Sequence, residues 1–301
     1  MATTSTVLGQ PALELDGRYA GALRSLQPPG YRVQPAASGA ADRGASPGPA
    51  VGITPMAAEF DLVDDSPLLA WAQSLLGGKP RTAAGAALQL DAQRKVQRRI
   101  AWTDGVPTAL RLPTLDATLK QPVTLGLSWQ PGSVAYPKAA GEVVTDASSK
   151  PARKAPQLGQ FRVLGLPFNG AHVQRVALPG INVRGATGGI TSGTTDGAGL
   201  LPAAAAVDLG ELRLDIASAG RDAALAWVVQ CVTDAPQKAS EALTLTVELL
   251  DPSLKTALAR LVLSGCGLLA CDEPPLRSDT ATPSVMSLRL SVRQITIQLA
   301  N

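Results

Sequence analysis

The 301-residue chain is 45% apolar, 17% charged and 3% aromatic, with 29 Gly and 24 Pro. At about 150 residues per domain its length points to two domains. The apolar content excludes wholesale disorder, and many turn formers beside few aromatics suit short strands joined by turns. Twenty-seven Lys and Arg against 24 Asp and Glu leave a net charge of +3, too mild to call for nucleic acid or an anionic membrane. Cys231, Cys266 and Cys271 are odd in number and clustered, which excludes a disulfide framework and suits a reducing compartment. No apolar run approaches the about 20 residues that span a bilayer, and the first ten residues lack the basic and apolar regions of a signal peptide. The expectation is a soluble chain without membrane insertion.

In chain order, the first predicted element is an alternating hairpin within LELDGRYAGALRSLQPPGYRV (13–33), turning at Asp16 and Gly17. A counterpart, FRVLGLPFNGAHVQRVALPGINV (161–183), carries Asn169 and Gly170 at the matching place. Asp-Gly and Asn-Gly both favour a type I′ hairpin turn. Each copy runs on into Pro-Gly-x-x-Val, from Pro29 and from Pro179, 150 residues apart. A low-complexity loop follows each, at 34–52 and 184–200. Loops of that length are functional or disordered when they occur in compact domains.

Next come SPLLAWAQSLLGGKP (66–80) and AGRDAALAWVVQCVTDAP (219–236), each predicted as one short amphipathic helix around a tryptophan. Trp71 and Trp227 are 156 residues apart and are read as helix core anchors rather than sugar-stacking platforms. Asp61, Asp64 and Asp65 precede the first helix. Clustered carboxylates can do acid-base work or bind calcium, but Asp64 or Ser66 ahead of Pro67 is better read as an N-cap with Pro in the first turn. Asp222 is the matching feature of the second helix, where the helix dipole favours it.

Each helix leads to a strand ending in an aspartate that opens a turn, Asp91 and Asp251, 160 residues apart. Leu243, Leu245, Val247 and Leu249 keep strict period two, and the partner strand of the first copy places Val96, Ile100 and Trp102 on one face; one face is buried and one wet. Within the run QRKVQRR (93–99), strand alternation puts Lys95 and Arg99 on one face and Arg94 and Arg98 on the other. These four are candidate lumen-facing or partner-facing cations, against the plainer reading of a solvated hairpin. The stacking aromatics that a nucleic-acid groove needs are missing beside them.

Each copy closes on a long alternating strand. In the first, Leu115, Ala117, Leu119, Val123, Leu125, Leu127 and Trp129 are all odd, which predicts one apolar face continuing past Pro122. In the second, Met286, Leu288, Leu290 and Val292 are even while Ile295, Ile297 and Leu299 are odd. That switch near Arg293 predicts a bulge or sharp twist. The stretch 131–157 has linker composition, so the expected division is 1–130, linker 131–157 and 158–301.

Catalytic constellations are missing. His172 is the only histidine, no serine sits in a G-x-S-x-G elbow, and Cys266 with Cys271 lacks the further ligands a zinc site needs. The glycine-rich stretch 185–199 has no Gly-Lys-Ser/Thr ending and no G-x-G-x-x-G. The expectation is no catalytic residue, no cofactor and no metal.

This order of features, a hairpin, a long loop, a helix with a central Trp as in LLAWAQSLL and ALAWVVQCV, a strand such as LTVELLD, a turn and a last alternating strand, resembles the tube proteins of contractile phage tails and bacterial contractile injection systems. The resemblance covers nearly all of the chain, twice. It implies an α+β, β-dominated chain of two tandem tube-type domains, each a small antiparallel sheet or half-barrel with one short helix. It also implies a structural, non-enzymatic role, with six such domains forming a ring around a lumen. Since tube proteins usually carry one domain per chain, three chains of this kind would complete a pseudo-six-fold ring, as in hubs at the tube end or baseplate. The implied partners are further copies of the chain and other tube, hub, baseplate or sheath-associated proteins. The implied location is a phage tail-like particle assembled in the bacterial cytoplasm and released by lysis. Two alternatives stand beside this reading: an ordinary repeated inner-tube subunit, and a tandem β-rich module binding carbohydrate or protein through exposed Trp. The physical logic favours assembly, because a small sheet with one helix leaves edges unpaired and ring closure removes them.

Overall fold

The computed structural model describes residues 9–34, 50–62, 66–144, 155–184, 206–233, 243–273 and 285–300. Most of the two low-complexity loops, the middle of the linker-like stretch, and Asp64 and Asp65 lie outside the described residues. Strands β1 (Gln10–Leu15), β2 (Arg18–Ala22), β3 (Ser25–Gln27), β4 (Tyr31–Gln34), β5 (Ala50–Ile53) and β6 (Met56–Asp61) precede helix α1 (Pro67–Leu76). After it come β7 (Ala83–Leu90), β8 (Val96–Arg111), β9 (Thr114–Asp116), β10 (Thr124–Gln130) and β11 (Ser133–Ala135). The later part of the chain supplies β12 (Phe161–Leu164), β13 (Val173–Ala177), β14 (Ile181–Val183), β15 (Val207–Leu209), β16 (Leu212–Ala217), α2 (Arg221–Thr233), β17 (Leu243–Leu250), β18 (Ala257–Asp272), β19 (Val285–Ser291) and β20 (Gln294–Leu299). The fold is α+β, dominated by antiparallel strands.

One sheet runs β2-β1-β7-β8-β10-β6-β3 and the other β12-β17-β18-β19-β16-β13-β9. The path β1-β7-β8-β10-β6-β3 and the path β12-β17-β18-β19-β16-β13 place elements of the same chain order side by side. Their registers agree residue by residue. Leu13 faces Ala87 as Val163 faces Val247, and Ala87 faces Ile100 as Val247 faces Leu261. Leu127 faces Leu110 as Leu288 faces Cys271, and Leu26 faces Ala58 as Val176 faces Leu214. The turns agree as well. In the first, Arg94 is left-handed (φ 62°) and donates its N–H to Asp91 O at 3.0 Å. In the second, Leu254 (φ 59°) donates to Asp251 O at 2.9 Å. Both aspartate side chains cap their turns, taking N–H bonds from Lys95 at 2.8 Å and from Lys255 at 3.1 Å.

The two 16-residue strands β8 and β18 are each followed along one edge by two strands laid end to end. Gln130 faces Val106 and Ser133 faces Thr103, so β10 and β11 keep one register on β8. Ser291 faces Gly267 and Gln294 faces Ser264, so β19 and β20 do the same on β18. At both breaks an N–H still reaches across, from Gly132 to Thr103 O at 3.0 Å and from Arg293 to Ser264 O at 3.1 Å. The residue beyond the acceptor is left-handed in each long strand, Asp104 (φ 51°) and Gly265 (φ 69°). The parity switch at Arg293 thus inserts no residue between β19 and β20, while β18 carries one extra residue against β17 at the same place, between Leu263 and Cys266. Part of the linker-like stretch is ordered, since β11 lies within it and the Val96 N–H bonds to Glu142 O at 3.0 Å.

Two expectations need correction. The single apolar strand expected over 115–129 is two strands, because Asp116 Oδ1 takes the Thr118 N–H at 2.9 Å and its hydroxyl at 2.6 Å, turning the chain before Pro122, which has no N–H to give a ladder. β9 then pairs with β13 in the other sheet. Asn169 and Gly170 do not form a hairpin turn: a type I′ turn needs positive φ at both residues, and Asn169 has φ −67°. Instead its side chain accepts the Ala171 N–H at 3.0 Å and caps a one-turn 3-10 helix, Gly170–His172. The glycine is needed there for space, as a Cβ would stand 2.1 Å from Val163 O. Asp16 (φ 49°) and Gly17 (φ 74°) do take the left-handed pair, between Leu15 and its partner Arg18.

One apolar cluster draws on both parts of the chain, from Leu13 to Ile297. Its large centre is Trp71, Trp102 and Trp129, with ring centroids 5.6 Å apart for Trp71 and Trp129 and 5.3 Å for Trp102 and Trp129. Helix α1 starts at Ser66, whose hydroxyl accepts the Leu69 N–H at 3.1 Å, with Pro67 in the first turn. In the second sheet Glu248 is buried on β17 and takes hydrogen bonds from Arg162 and, at 2.9 Å, from Arg260. Burial alone would push its carboxyl up, but the two guanidinium bonds outweigh burial and hold it below its ordinary range.

Because the folded-state pKa of Glu248 is depressed, its contribution to stability is complete above the unfolded value of about 4.3 and is lost as pH falls through the folded value. Glu248→Gln is expected to cost about 1.5–3 kcal/mol at pH 7 and to flatten stability between pH 5 and 3, read by denaturant titration across pH; an unchanged acid limb would contradict the assignment. Ile181 is fully buried where β14 meets β8, facing Leu110. Ile181→Ala is expected to cost about 2–5 kcal/mol, measured the same way.

Candidate assembly surfaces

Among the described residues no three His, Cys, Asp or Glu come together to hold a metal ion. His172 ends the 3-10 turn, packed so closely on Gly220 that a Cβ there would stand 2.5 Å from His172 Cβ. Cys266 is buried, Cys231 and Cys271 are half-buried, all three are free, and burial pushes each thiol up, away from the reactive thiolate. Asp61, read with the cluster before α1, instead binds Arg24 in an ion pair at 2.8 Å. Asp222 sits in the first turn of α2. No helix among the described residues is long and apolar enough to cross a membrane.

The four cations of the β7–β8 hairpin do not form one face. Arg94 is left-handed in the turn, which breaks the strand alternation the sequence pattern assumes, and its guanidinium lies 5.2 Å from the Tyr19 ring centre. Arg99 is held by Glu14 and, at 3.2 Å, by Glu142. Only Lys95 and Arg98 of the four are exposed. The hairpin's apolar side, Leu88, Leu90 and Val96 with Ala12 and Ala86, forms a small core of its own.

The two helices differ in what covers them. Trp71 is fully buried and its indole donates to Arg81 O at 2.7 Å. Leu68, Leu69, Ala72 and Leu75 are buried with it, and Gln73 Nε2 reaches Ile297 O of β20 at 3.0 Å. Trp227 is only half-buried, beside Phe168 at 6.1 Å, and α2 buries Ala224 alone. Trp227 is thus not the enclosed anchor that the matching sequence suggests. α1 is enclosed between β8 and β2 of its own sheet and β20 and β14; α2 packs mainly on β18 and on the 3-10 turn Ser218–Gly220, and Val229 and Val232 stay exposed.

The two Pro-Gly-x-x-Val segments differ in the same way. Both form the first strand of a two-stranded hairpin, β4 with β5 and β14 with β15. The second hairpin joins the first sheet: Ile181 faces Leu110 and Asn182 faces Ala109 of β8. Its apolar residues are enclosed, Ile181 at 0% and Val183 at 6% exposure, whereas their counterparts Tyr31 and Val33 are 53% and 63% exposed. β4 and β5 form a sheet of two strands by themselves. The base of that hairpin is closed by Gly30 and Thr54, with Thr54 N donating to Gly30 O at 2.8 Å and Gly30 N to Thr54 Oγ1 at 2.7 Å. Gln130 Nε2 anchors it to the sheet through Ile53 O at 3.0 Å. The Tyr31 hydroxyl meets that of Tyr136, itself half exposed. Sequence reasoning missed these surface residues. Their only signal is tyrosine where the other copy has an aliphatic, buried residue, Tyr31 for Ile181 and Tyr136 for Ile297, since Val33 matches Val183.

No family model and no curated protein matches the chain. Solved structures are similar to parts of it, two from the same particle among them. Over 52% of this chain it is similar to the whole of a chain in the anti-feeding prophage cap, the tube-terminating cap, at 15% identity and a TM-score of 0.37. Over 50% of this chain it is similar to 97% of a chain in the six-fold symmetrised anti-feeding prophage baseplate, at 13% identity and a TM-score of 0.33.

Proposed function

We propose that the chain is a tandem duplication of one tube-type unit and serves as a non-enzymatic building block of a contractile tail or injection apparatus, at the tube end or baseplate hub. Three chains form a pseudo-six-fold ring around a lumen. The observation that carries this reading is the agreement of the two sheets in strand order, residue register and left-handed positions, at separations of 150 to 161 residues. Two unrelated small sheets have no reason to share the left-handed residue of the hairpin turn and the interruption beside the long strand. The family resemblance in the order of sequence features gives the unit its role, and the unpaired edges of each sheet give it a reason to assemble.

A chain carrying two such units closes a six-membered ring with three copies, and an interface between units already exists inside the chain in the contacts of β14 with β8 and of β20 with α1. The exposed Lys95 and Arg98 are the cations available to a lumen or an acidic neighbour in that arrangement. An ordinary inner-tube subunit would more simply carry one unit, and a monomeric binding module has no use for a sheet edge that demands a partner.

Light scattering on the purified protein is expected to give three times the mass of the chain, and negative-stain images are expected to show rings with a central hole. A persistent monomer across micromolar concentrations would overturn the reading, and six chains per ring would overturn the pseudo-six-fold arrangement while leaving assembly intact.

A further inference from the structure

The interface inside the chain has one well-defined geometry. Past Gly105, the last residue of β8 that faces β7, one edge of β8 runs on beside β10 while the other is open to a new strand. β14 takes that edge at Ala109 and Leu110, and β14 and β20 together cover α1. In the second sheet the corresponding stretch of β18 begins after Cys266, the last residue that faces β17, and continues to Asp272 beside β19 alone. Among the described residues its other edge carries no strand. A sheet edge with free N–H and C=O groups is a template for another chain, and this one is flanked by the uncovered face of α2.

The register fixes what the missing strand would be. Thr108 and Leu269, 161 residues apart, are the residues skipped in the pairing of β8 with β10 and of β18 with β19, so Leu110 corresponds to Cys271 and Ala109 to Ala270. Ile181 and Asn182 correspond to Tyr31 and Arg32 through the Pro-Gly-x-x-Val segments. The contact of Ile181 with Leu110 thus has its counterpart in Tyr31 against Cys271, and that of Asn182 with Ala109 in Arg32 against Ala270. No single chain brings these together. The exposed side chains fall on the two halves of this missing contact: Tyr31, Val33 and Tyr136 on one side, Val229, Val232 and Leu269 on the other, six of the ten large apolar residues left exposed among the described residues. Tyr136 follows β11, which lies on β8 as β20 lies on β18, and so takes the place of Ile297 over the helix. Arg32 would stand diagonally from Asp272, a separation that long side chains span.

We propose that the β4–β5 hairpin of one copy docks on the open edge of β18 and the outer face of α2 of a second copy, reproducing between chains the contact that β14 makes with β8 and α1 within one. The occupant is a second copy of this chain, and the proposal rests on the duplication and ring described above. Docking pairs β18 at Ala270 and Cys271, as β14 pairs β8 at Ala109 and Leu110, and encloses Trp227 as Trp71 is enclosed.

The native Cys271 provides the test. Directly opposed residues on antiparallel strands hold their Cβ atoms about 4.5–5.5 Å apart, a small adjustment from a disulfide. Tyr31→Cys in a Cys231→Ser background, treated with a mild thiol oxidant, is expected to give covalent dimers and trimers on non-reducing gels. These are expected to vanish with reductant or with Cys271→Ser, and Leu119→Cys, on another exposed site, is expected to give none. In parallel, Tyr31→Asp and Val232→Asp each spoil one half of the contact. Both are expected to unfold like wild type yet weaken assembly by about thirty-fold or more, and an equimolar mixture is expected to form a dimer that grows no further, because each supplies the surface the other lacks. Rings that persist in both variants, or a mixture that stays monomeric while wild type forms rings, overturn this surface and leave the ring reading standing. A monomeric wild type overturns the ring reading and this surface with it.

Discussion

The backbone hydrogen bonds of two long strands set the terms for the rest of the molecule. β8 and β18 each run for 16 residues, twice the length of β7 and β17, the partners they receive by hairpin. Half of one edge is therefore left over in each, and an N–H or C=O left without a partner away from water costs about 1–3 kcal/mol. On β8 that surplus edge is met by β14. The other edge is served by two strands laid end to end, with a left-handed residue, Asp104 or Gly265, where the long strand must turn its faces. That backbone is strained for Asp104 and unstrained for Gly265, and the recurrence of the left-handed position at corresponding places ties the kink to the geometry of the unit.

Burial follows from this backbone arrangement. Where β14 and β20 arrive, α1 becomes an interior helix, Trp71 packs on Trp129, and the apolar cluster runs unbroken from one sheet into the other. Where no such arrival occurs, α2 keeps an apolar surface in solvent at Val229 and Val232. The helices match at the tryptophan but not on the outer side, where Gln73 and Leu76 of α1 correspond to Val229 and Val232 of α2, so the difference lies in the sequence of that side as well as in tertiary covering. Side chains on α2 that gain nothing from a core are the ones expected to carry interface energy, since apolar area taken from water contributes about 25 cal/mol per Å² wherever it is buried.

Much of this architecture is readable in the sequence, and the boundary of what is readable has physical causes. Period-two patterns such as Leu243 to Leu249 locate strands because one face of a sheet is buried and one wet. The aspartates at 91 and 251 locate turns because their side chains cap local N–H groups. The helix start is legible because Ser66 and Pro67 act within one turn of chain. By contrast, the odd-numbered run from Leu115 to Trp129 has the right parity for one strand only by coincidence of two, since parity is blind to the turn that Asp116 builds. Asn169 and Gly170 carry a dipeptide signal that close packing on Val163 overrides. The surface formed by Tyr31, Val33 and α2 is illegible for a deeper reason. Exposure is a property of what is packed above a residue, and that comes from strands far away in sequence.

The placement of the aromatic residues gives this asymmetry a direction. The chain holds four Trp, three Tyr and three Phe. Trp71, Trp102 and Trp129 are enclosed in the first sheet's core, whereas Tyr31 and Tyr136 are exposed where the second unit's counterparts are the aliphatic Ile181 and Ile297, and Trp227, the counterpart of the enclosed Trp71, is only half-buried. Inside one chain, β14 meets β8 at an effective concentration fixed by the covalent connection, and modest side chains such as Ile181 and Ala109 are enough. A contact between separate copies must also overcome the loss of translational and rotational freedom. Large rigid rings supply more buried area per ordered side chain, which is why aromatic residues gather at association surfaces. In a chain so poor in aromatics, their presence at the uncovered hairpin and helix is the sequence's own mark of which of its two equivalent contacts must form without a covalent tether.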